Sequence, residues 1–241
     1  EMCIRDREDT TSQASGQLSS TSSQAQWQVS QPQGSYGSLT IDAQGNWVYT
    51  LDNTAPQVQG LSAQQAVTDS FTVTMTDGSN TVTSQITVQV LGTNDVPVIQ
   101  ASSALHGQLS EDGTLAASGQ IAATDVDQND QLAWQASGLQ GHYGQFTFDT
   151  HTGNWHYQLD NSNPQVQALA ANQQVSDTLT ITVSDGHGGT ATQQVQVDIT
   201  GTNDQPVLNA IAQQNASEDG ALVRGTLSAT DVDQGDTQSY S

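Results

Sequence analysis

The sequence predicts an all-β chain of tandem immunoglobulin-like, antiparallel β-sandwiches, with about seven strands to a repeat. Three observations carry that expectation. The chain repeats itself at a spacing of 109 residues. Apolar and polar residues alternate over short runs, as half-buried strands require. The runs are punctuated by Asp, Asn and Gly, the residues of tight turns.

The repeat emerges when the chain is laid on itself. Gly92-Thr93-Asn94-Asp95-Val96-Pro97-Val98 returns as Gly201-Thr202-Asn203-Asp204-Gln205-Pro206-Val207. Gly45-Asn46-Trp47-Val48-Tyr49-Thr50-Leu51-Asp52-Asn53 returns as Gly153-Asn154-Trp155-His156-Tyr157-Gln158-Leu159-Asp160-Asn161. Val67-Thr68-Asp69 pairs with Val175-Ser176-Asp177, and Asp77-Gly78 with Asp185-Gly186. A further copy opens with Glu218-Asp219-Gly220 and Ala229-Thr230-Asp231-Val232-Asp233, matching Glu111-Asp112-Gly113 and Ala123-Thr124-Asp125-Val126-Asp127. The expected organisation is a first repeat over 8–95 lacking its opening strand, a complete second repeat over 96–204, and a partial third over 205–241. Residues 1–7 match nothing in the other copies and are read as a foreign, non-repeat head.

Within the second repeat, Leu115–Thr124 and Gln131–Ala136 read as strands. Gln145–Asp149 and Trp155–Asp160 read as a hairpin around Thr150-His151-Thr152-Gly153-Asn154. Pro164–Ala171 is the one plausible helical turn. Thr178–Ser184 and Thr190–Thr200 complete the set, with an extended stretch after Pro97. Trp155, Tyr157 and Leu159 fall on one face of their strand, and His156, Gln158 and Asp160 on the other. That is the dry-and-wet pattern of two stacked sheets.

The charge is extreme. Acids outnumber Lys and Arg by 25 to 3, for a formal charge of −22. Phosphate binding rests on Lys and Arg, so nucleic acid and anionic lipid are excluded as partners of this segment. No apolar run is long enough to span a bilayer. Cys3 is the only cysteine, which rules out an internal disulfide. The acids are 21 Asp to 4 Glu, a bias toward loops and turns.

The motifs Gly-Thr-Asn-Asp-x-Pro-Val, Glu-Asp-Gly, Ala-Thr-Asp-Val-Asp and Gly-Asn-Trp-x-Tyr-x-Leu-Asp-Asn resemble those of the VCBS repeat, found in large bacterial surface adhesins of the RTX type. The resemblance runs from residue 8 to 241 and implies an extracellular, secreted or cell-surface location and a role in cell adhesion or biofilm. It also implies neighbouring repeats of the same chain as partners, and a cell-surface or glycan receptor engaged by other domains. A fainter resemblance is to cadherin domains, in which an acidic linker, an Asp-x-Asp loop, a Glu near the domain start and an Asp before the last strand jointly hold calcium.

Carried over residue by residue, the cadherin arrangement would assign Glu8, Asn94, Asp95, Asp125, Asp127 and Asp185 to a first Ca2+ site. Glu111, Asn203, Asp204, Asp231 and Asp233 would form a second. The residue types suit a hard cation that takes six to eight oxygen ligands. Asp125-Val126-Asp127-Gln128-Asn129-Asp130 is not an EF-hand, whose twelfth position is Glu where this chain has Ala136. Two departures predict fewer ions per joint than in cadherins. The linkers start with Gly92 or Gly201 in place of an acid, and no mid-domain Asp-x-Glu is evident. The first repeat replaces the Asp-x-Asp loop by Ser20-Thr21-Ser22-Ser23-Gln24.

The histidines do not repeat between copies, which speaks against zinc. The chain has no Gly-x-Ser-x-Gly elbow and no shared Ser/His pair, so it is not expected to be an enzyme. Trp47, Tyr49, Trp155 and Tyr157 could stack on sugars, but their period-two placement beside Leu51 and Leu159 points to the core. The reading is of structural or adhesive spacer repeats. The alternative is an ancillary spacer or carbohydrate-binding module of a secreted polysaccharide-degrading enzyme.

Overall fold

The structure, a computed structural model, describes residues 3–7, 12–78, 80–237 and 239, with side chains from residue 12 onward. The chain divides into two compact units. One comprises residues 1–98, 123–133 and 183–191, and the other residues 99–122, 134–182 and 192–241.

The first repeat contains β1 (Cys3–Arg7), β2 (Gln13–Gln17), β3 (Gln26–Val29), β4 (Gly37–Ile41), β5 (Asn46–Leu51), the single turn α1 (Pro56–Gln59), β6 (Ala66–Asp77) and β7 (Asn80–Leu91). They form a four-stranded sheet in the order β1-β7-β6-β3 and a three-stranded sheet in the order β2-β5-β4. Trp47, Tyr49 and Leu51 of β5 are buried and alternate with exposed neighbours. They pack with Leu39, Phe71, Val73, Ile86, Val88 and Val90 in one core.

The second repeat contains β8 (Val98–Ile99), β9 (His106–Ser110), β10 (Ala116–Gln120), β11 (Ala123–Thr124), β12 (Ala133–Ser137), β13 (Gly144–Phe148), β14 (Asn154–Leu159), α2 (Pro164–Gln167), β15 (Gln174–Ser184) and β16 (Thr190–Thr200). Its sheets run β12-β15-β16-β9 and β10-β14-β13, while β8 and β11 pair with one another. The predicted hairpin is β13–β14, with Phe146 opposite Tyr157 and Gly153 at φ +71° in its turn. Both α1 and α2 open on Pro, whose fixed φ suits the first helical position. The core gathers Phe146, Trp155, Tyr157, Leu159, Leu179, Ile181, Val195, Val197 and Ile199. Trp155 and Tyr157 are at most 1 % exposed, so the indole and phenol rings are core residues and offer no sugar platform.

The start of the chain departs from expectation. Cys3–Arg7 pairs in parallel with β7, Cys3 opposite Thr87 and Arg7 opposite Leu91. In the second repeat β9 pairs with β16 in the same sense, His106 opposite Gln196 and Ser110 opposite Thr200. Residues 3–7 are therefore a strand of the first sandwich, although their side chains match nothing in the other copies. An edge strand is held by its backbone and tolerates unrelated side chains, which is why self-comparison read residues 1–7 as foreign. The strand β9 was itself missed, because Gly107 and Leu109 are too few apolar positions to show a period.

In residues 205–237, β17 (Val207–Leu208) pairs with β18 (Ala229–Thr230).

Candidate metal centres

The linker Asn94-Asp95 and the loops 123–133 and 183–191 belong to one compact unit, and hydrogen bonds tie them together. The Asp95 amide donates to Asp127 Oδ2 (2.8 Å), and the Asp127 amide to Asp125 Oδ1 (3.1 Å). Asn94 Nδ2 donates to Asp185 Oδ2 (2.8 Å). Asp185 Oδ1 takes the amides of His187, Gly188 and Gly189, so this carboxylate fixes its own loop as well as the linker. Gly189 is required there, since a Cβ would lie 2.0 Å from Asp185 Oδ2. Five of the six residues expected at the first site are thus brought together. Glu8 lies outside the described residues.

The second cluster repeats the first within the other unit. The Asp204 amide donates to Asp233 Oδ2 (2.8 Å), and the Asp233 amide to Asp231 Oδ1 (3.1 Å). Asn203 Nδ2 donates to the Asp204 carbonyl, as Asn94 does to that of Asp95. Glu111 is fully buried and accepts from the Thr202 amide through Oε2 and from Gln167 Nε2 through Oε1, both at 3.1 Å. All five expected residues lie in this cluster or against it.

Sequence reasoning missed three acids. Asp130 places a carboxylate oxygen within 4.8 Å of those of Asp125 and Asp127, and Asp236 does the same with Asp231 and Asp233. The signal was present, because Asp-x-Asp-x-x-Asp occurs at both loops. The third is Asp112, whose charge raises both Glu111 and Asp204. Asp112 is held in place by a reciprocal pair of bonds with Asn161.

The electrostatics of both clusters are unfavourable as they stand. Burial pushes the Asp127 carboxyl up, and the charges of Asp130, Asp95 and Asp125 add to that against the bond from the Asp95 amide. Burial likewise raises Glu111, opposed by the Thr202 amide and reinforced by Asp204, Asp112 and Asp233. Asp204 is raised by burial and then by Asp112, Asp233 and Asp231. Asp185 goes the other way: burial raises it, but the bonds from Asn94 and the three loop amides outweigh that and hold it low. No lysine exists to neutralise these acids, and the ion pairs among the described residues are made by His151 and His187. His187 Nδ1 lies 3.2 Å from Asp130.

The residues fit a hard cation on a specific observation. Among the described residues, the buried side-chain oxygens left without a hydrogen bond include Asn94 Oδ1, Asp125 Oδ2, Asp127 Oδ1, Asp204 Oδ2 and Asp233 Oδ1. Every such oxygen belongs to the two clusters; the one other buried atom of this kind is a nitrogen, Trp47 Nε1. Orphaned buried acceptors cost free energy unless something positive faces them. In Asp125, Asp127 and Asp233, one carboxylate oxygen accepts a backbone amide and the other is buried without a hydrogen bond.

The sequence profile of the bacterial cadherin-like domain matches residues 5–92 and 94–201, two tandem copies. The chain belongs to the bacterial cadherin-like domain family. No curated protein sequence matches it. Among solved structures it is similar to protocadherin gamma B2 extracellular cadherin domains 3–6, at TM-score 0.54 and 15 % identity over 97 % of this chain and 54 % of that one. It is similar to mouse cadherin-23 EC22–24 at TM-score 0.52 and 18 % identity, covering 97 % and 75 %. Human CDH23 EC21–23 aligns at TM-score 0.52 and 15 % identity, covering 97 % and 84 %. The chain spans about half the length of the protocadherin structure it matches. At these identities the likeness establishes the cadherin-like fold. Cadherin-like domains act in adhesion or as spacers. Among the described residues, no helix is long and apolar enough to cross a membrane.

Proposed function

We propose that this cadherin-like chain is a spacer segment of an extracellular bacterial adhesin of the VCBS-repeat type, with calcium bound at each linker to stiffen it. The observation that supports the reading most is the coincidence of the orphaned buried oxygens with the linker and loop acids. Asn94, Asp95, Asp125, Asp127 and Asp130, anchored by Asp185, would hold one site. Asp204, Asp231, Asp233 and Asp236, with Glu111 and Asn203, would hold the other. Calcium would supply positive charge to carboxylates that otherwise repel one another, locking each linker against its loops. The role is mechanical and adhesive, not catalytic. A glycan-binding module loses its main support with the burial of the tryptophans and tyrosines.

Extracellular modules bind calcium with dissociation constants of about 10⁻⁴–10⁻³ M. At free calcium roughly 10 to 100 times that constant, linkage stabilises the fold by about 1.4–2.7 kcal/mol per site. Melting the full chain with excess calcium and then with chelator tests this. The expected result is a higher midpoint in calcium, reversed by chelation. An unchanged midpoint would remove the metal, and the stiffening with it.

A further inference from the structure

The two limbs that carry the first cluster are both seated on one turn of the preceding repeat, and bonds within the protein seat them. The turn spans residues 60–65, between α1 and β6. Val58 and Leu61 on either side of Gly60 are buried in the first core, which fixes the backbone between them. Gly60 caps α1, and its amide donates to the Pro56 carbonyl (3.0 Å). The turn, the linker over 92–95 and the loop over 123–130 lie in one compact unit.

The linker limb starts at Gly92, whose amide donates to the Gln65 carbonyl (2.8 Å). A Cβ on Gly92 would lie 2.2 Å from the Leu61 carbonyl oxygen and 2.5 Å from that of Ser62. Glycine heads the linker because the backbone must press against this turn. The loop limb is held next to Asp127. The Gln128 amide donates to the Gly60 carbonyl at 3.1 Å, and the Gln128 carbonyl accepts from Ser62 Oγ at 2.6 Å. Both backbone polar groups of Gln128 are thus taken by the turn, one residue from a carboxylate that already holds the Asp95 amide. The second cluster keeps only part of this arrangement. The Gln234 amide donates to the Ala168 carbonyl (3.2 Å) and the Gly201 amide to Gln173 (2.8 Å), but Ala170 stands where the first repeat has Ser62.

We propose that Ser62 is a positioning residue for the first cluster: its hydroxyl clasps Gln128 and presets Asp125, Asp127 and Asp130 against Asn94 and Asp95 with no ion bound. Calcium then locks a joint that the protein has already closed, and less ordering is left for the ion to impose. The gain in affinity rests on calcium binding at this cluster, as proposed above. The clasp itself is made of protein atoms alone.

The test takes the full chain and two measurements. In chelator, hydrogen exchange followed by NMR should find the Gln128 amide protected, and Ser62→Ala should speed its exchange about twofold to tenfold, the worth of one neutral hydrogen bond. In calorimetry, with the second cluster disabled by Asp233→Asn, Ser62→Ala should weaken calcium binding at the first cluster by about the same factor. With the first cluster disabled by Asp127→Asn, Ser62→Ala should leave the second unchanged, which a general loss of stability would not. Gln128→Ala keeps both backbone bonds and should bind calcium as the parent does. A Gln128 amide that exchanges in chelator as in an unfolded chain would overturn the proposal. So would unchanged calcium affinity in Ser62→Ala, or an equal loss in Gln128→Ala. If the parent chain takes up no calcium, the metal reading falls, while the exchange rates still decide whether the clasp exists.

Discussion

The phenol of Tyr157 donates a 2.6 Å hydrogen bond to Asp177 Oδ2, between a ring that is fully buried and a carboxylate only 5 % exposed. The same carboxylate takes the His142 and Tyr143 amides. The first repeat builds the corresponding latch with one more amide, in which Tyr49 and the amides of Ser35, Tyr36 and Gly37 converge on Asp69. Burial, and then the bond to Asp177, raise the Tyr157 phenol well above its ordinary value, so it stays a donor.

The latch should carry stability that calcium does not touch. Tyr157→Phe removes one bond to a charged acceptor and should cost about 1.5–3 kcal/mol. Asp177→Ala should cost more, because it strands two amides and a phenol together. Urea unfolding in calcium and in chelator should return the same loss for Tyr157→Phe in both.

The two candidate metal centres should be separable by mutation. Asp127→Asn replaces a ligand oxygen at the first cluster only, and Asp233→Asn at the second only. Each should lower the calcium stoichiometry measured by calorimetry while leaving the other cluster intact, and the double variant should show no stabilisation by calcium. Asp130→Asn and Asp236→Asn should weaken their own clusters in the same selective way.

Gly189→Ala probes the anchor. A Cβ at this position would meet Asp185 Oδ2 at 2.0 Å and Asn94 Nδ2 at 3.0 Å. The loop must shift and the Asn94–Asp185 bond must break, so calcium affinity at the first cluster should fall at least tenfold. The second cluster should be unaffected, which calorimetry on the same sample would show.

Acid should act in opposite directions with and without the ion. Glu111, Asp127 and Asp204 have raised values in the fold, so their contribution is present below the unfolded value and lost as pH rises through the folded one. In chelator, acidifying from neutrality toward pH 4 should therefore stabilise the chain through these three groups. Asp185 is lowered, and its contribution is lost only beneath the ordinary aspartate value of 3.8, outside that window. In calcium the protons compete with the ion, and the same acidification should destabilise. Melting curves at several pH values, with calcium and with chelator, should cross.

Most of the architecture was legible because it is written in period-two side chains. Trp155, Tyr157 and Leu159 announced both their strand and their core, and Thr190–Thr200 was read to the residue. What escaped were β1 and β9 at the sheet edges, the first because residues 3–7 repeat nothing in the other copies and the second because it buries only Gly107 and Leu109. The candidate centres were legible as sets of acids, because collinear repetition marked the linkers and loops together. Asp130 and Asp236 stand three residues beyond the Asp-x-Asp pairs, and only the turn of the loop brings their carboxylates back to them. The division of labour within the carboxylates of Asp125, Asp127 and Asp233, one oxygen tethering and one without a hydrogen bond, depends on loop geometry that a sequence does not spell out.

The parallel pairing of β9 with β16 has a mechanical consequence. The segment leading into β9 and the segment leaving β16 lie at opposite ends of the paired strands, so tension drawn through a repeat slides one along the other. Their evenly spaced bonds then resist as a group instead of parting one at a time. A sandwich wired in this way yields to pulling by shear, the tougher failure mode, and β1 with β7 gives the preceding sandwich the same protection.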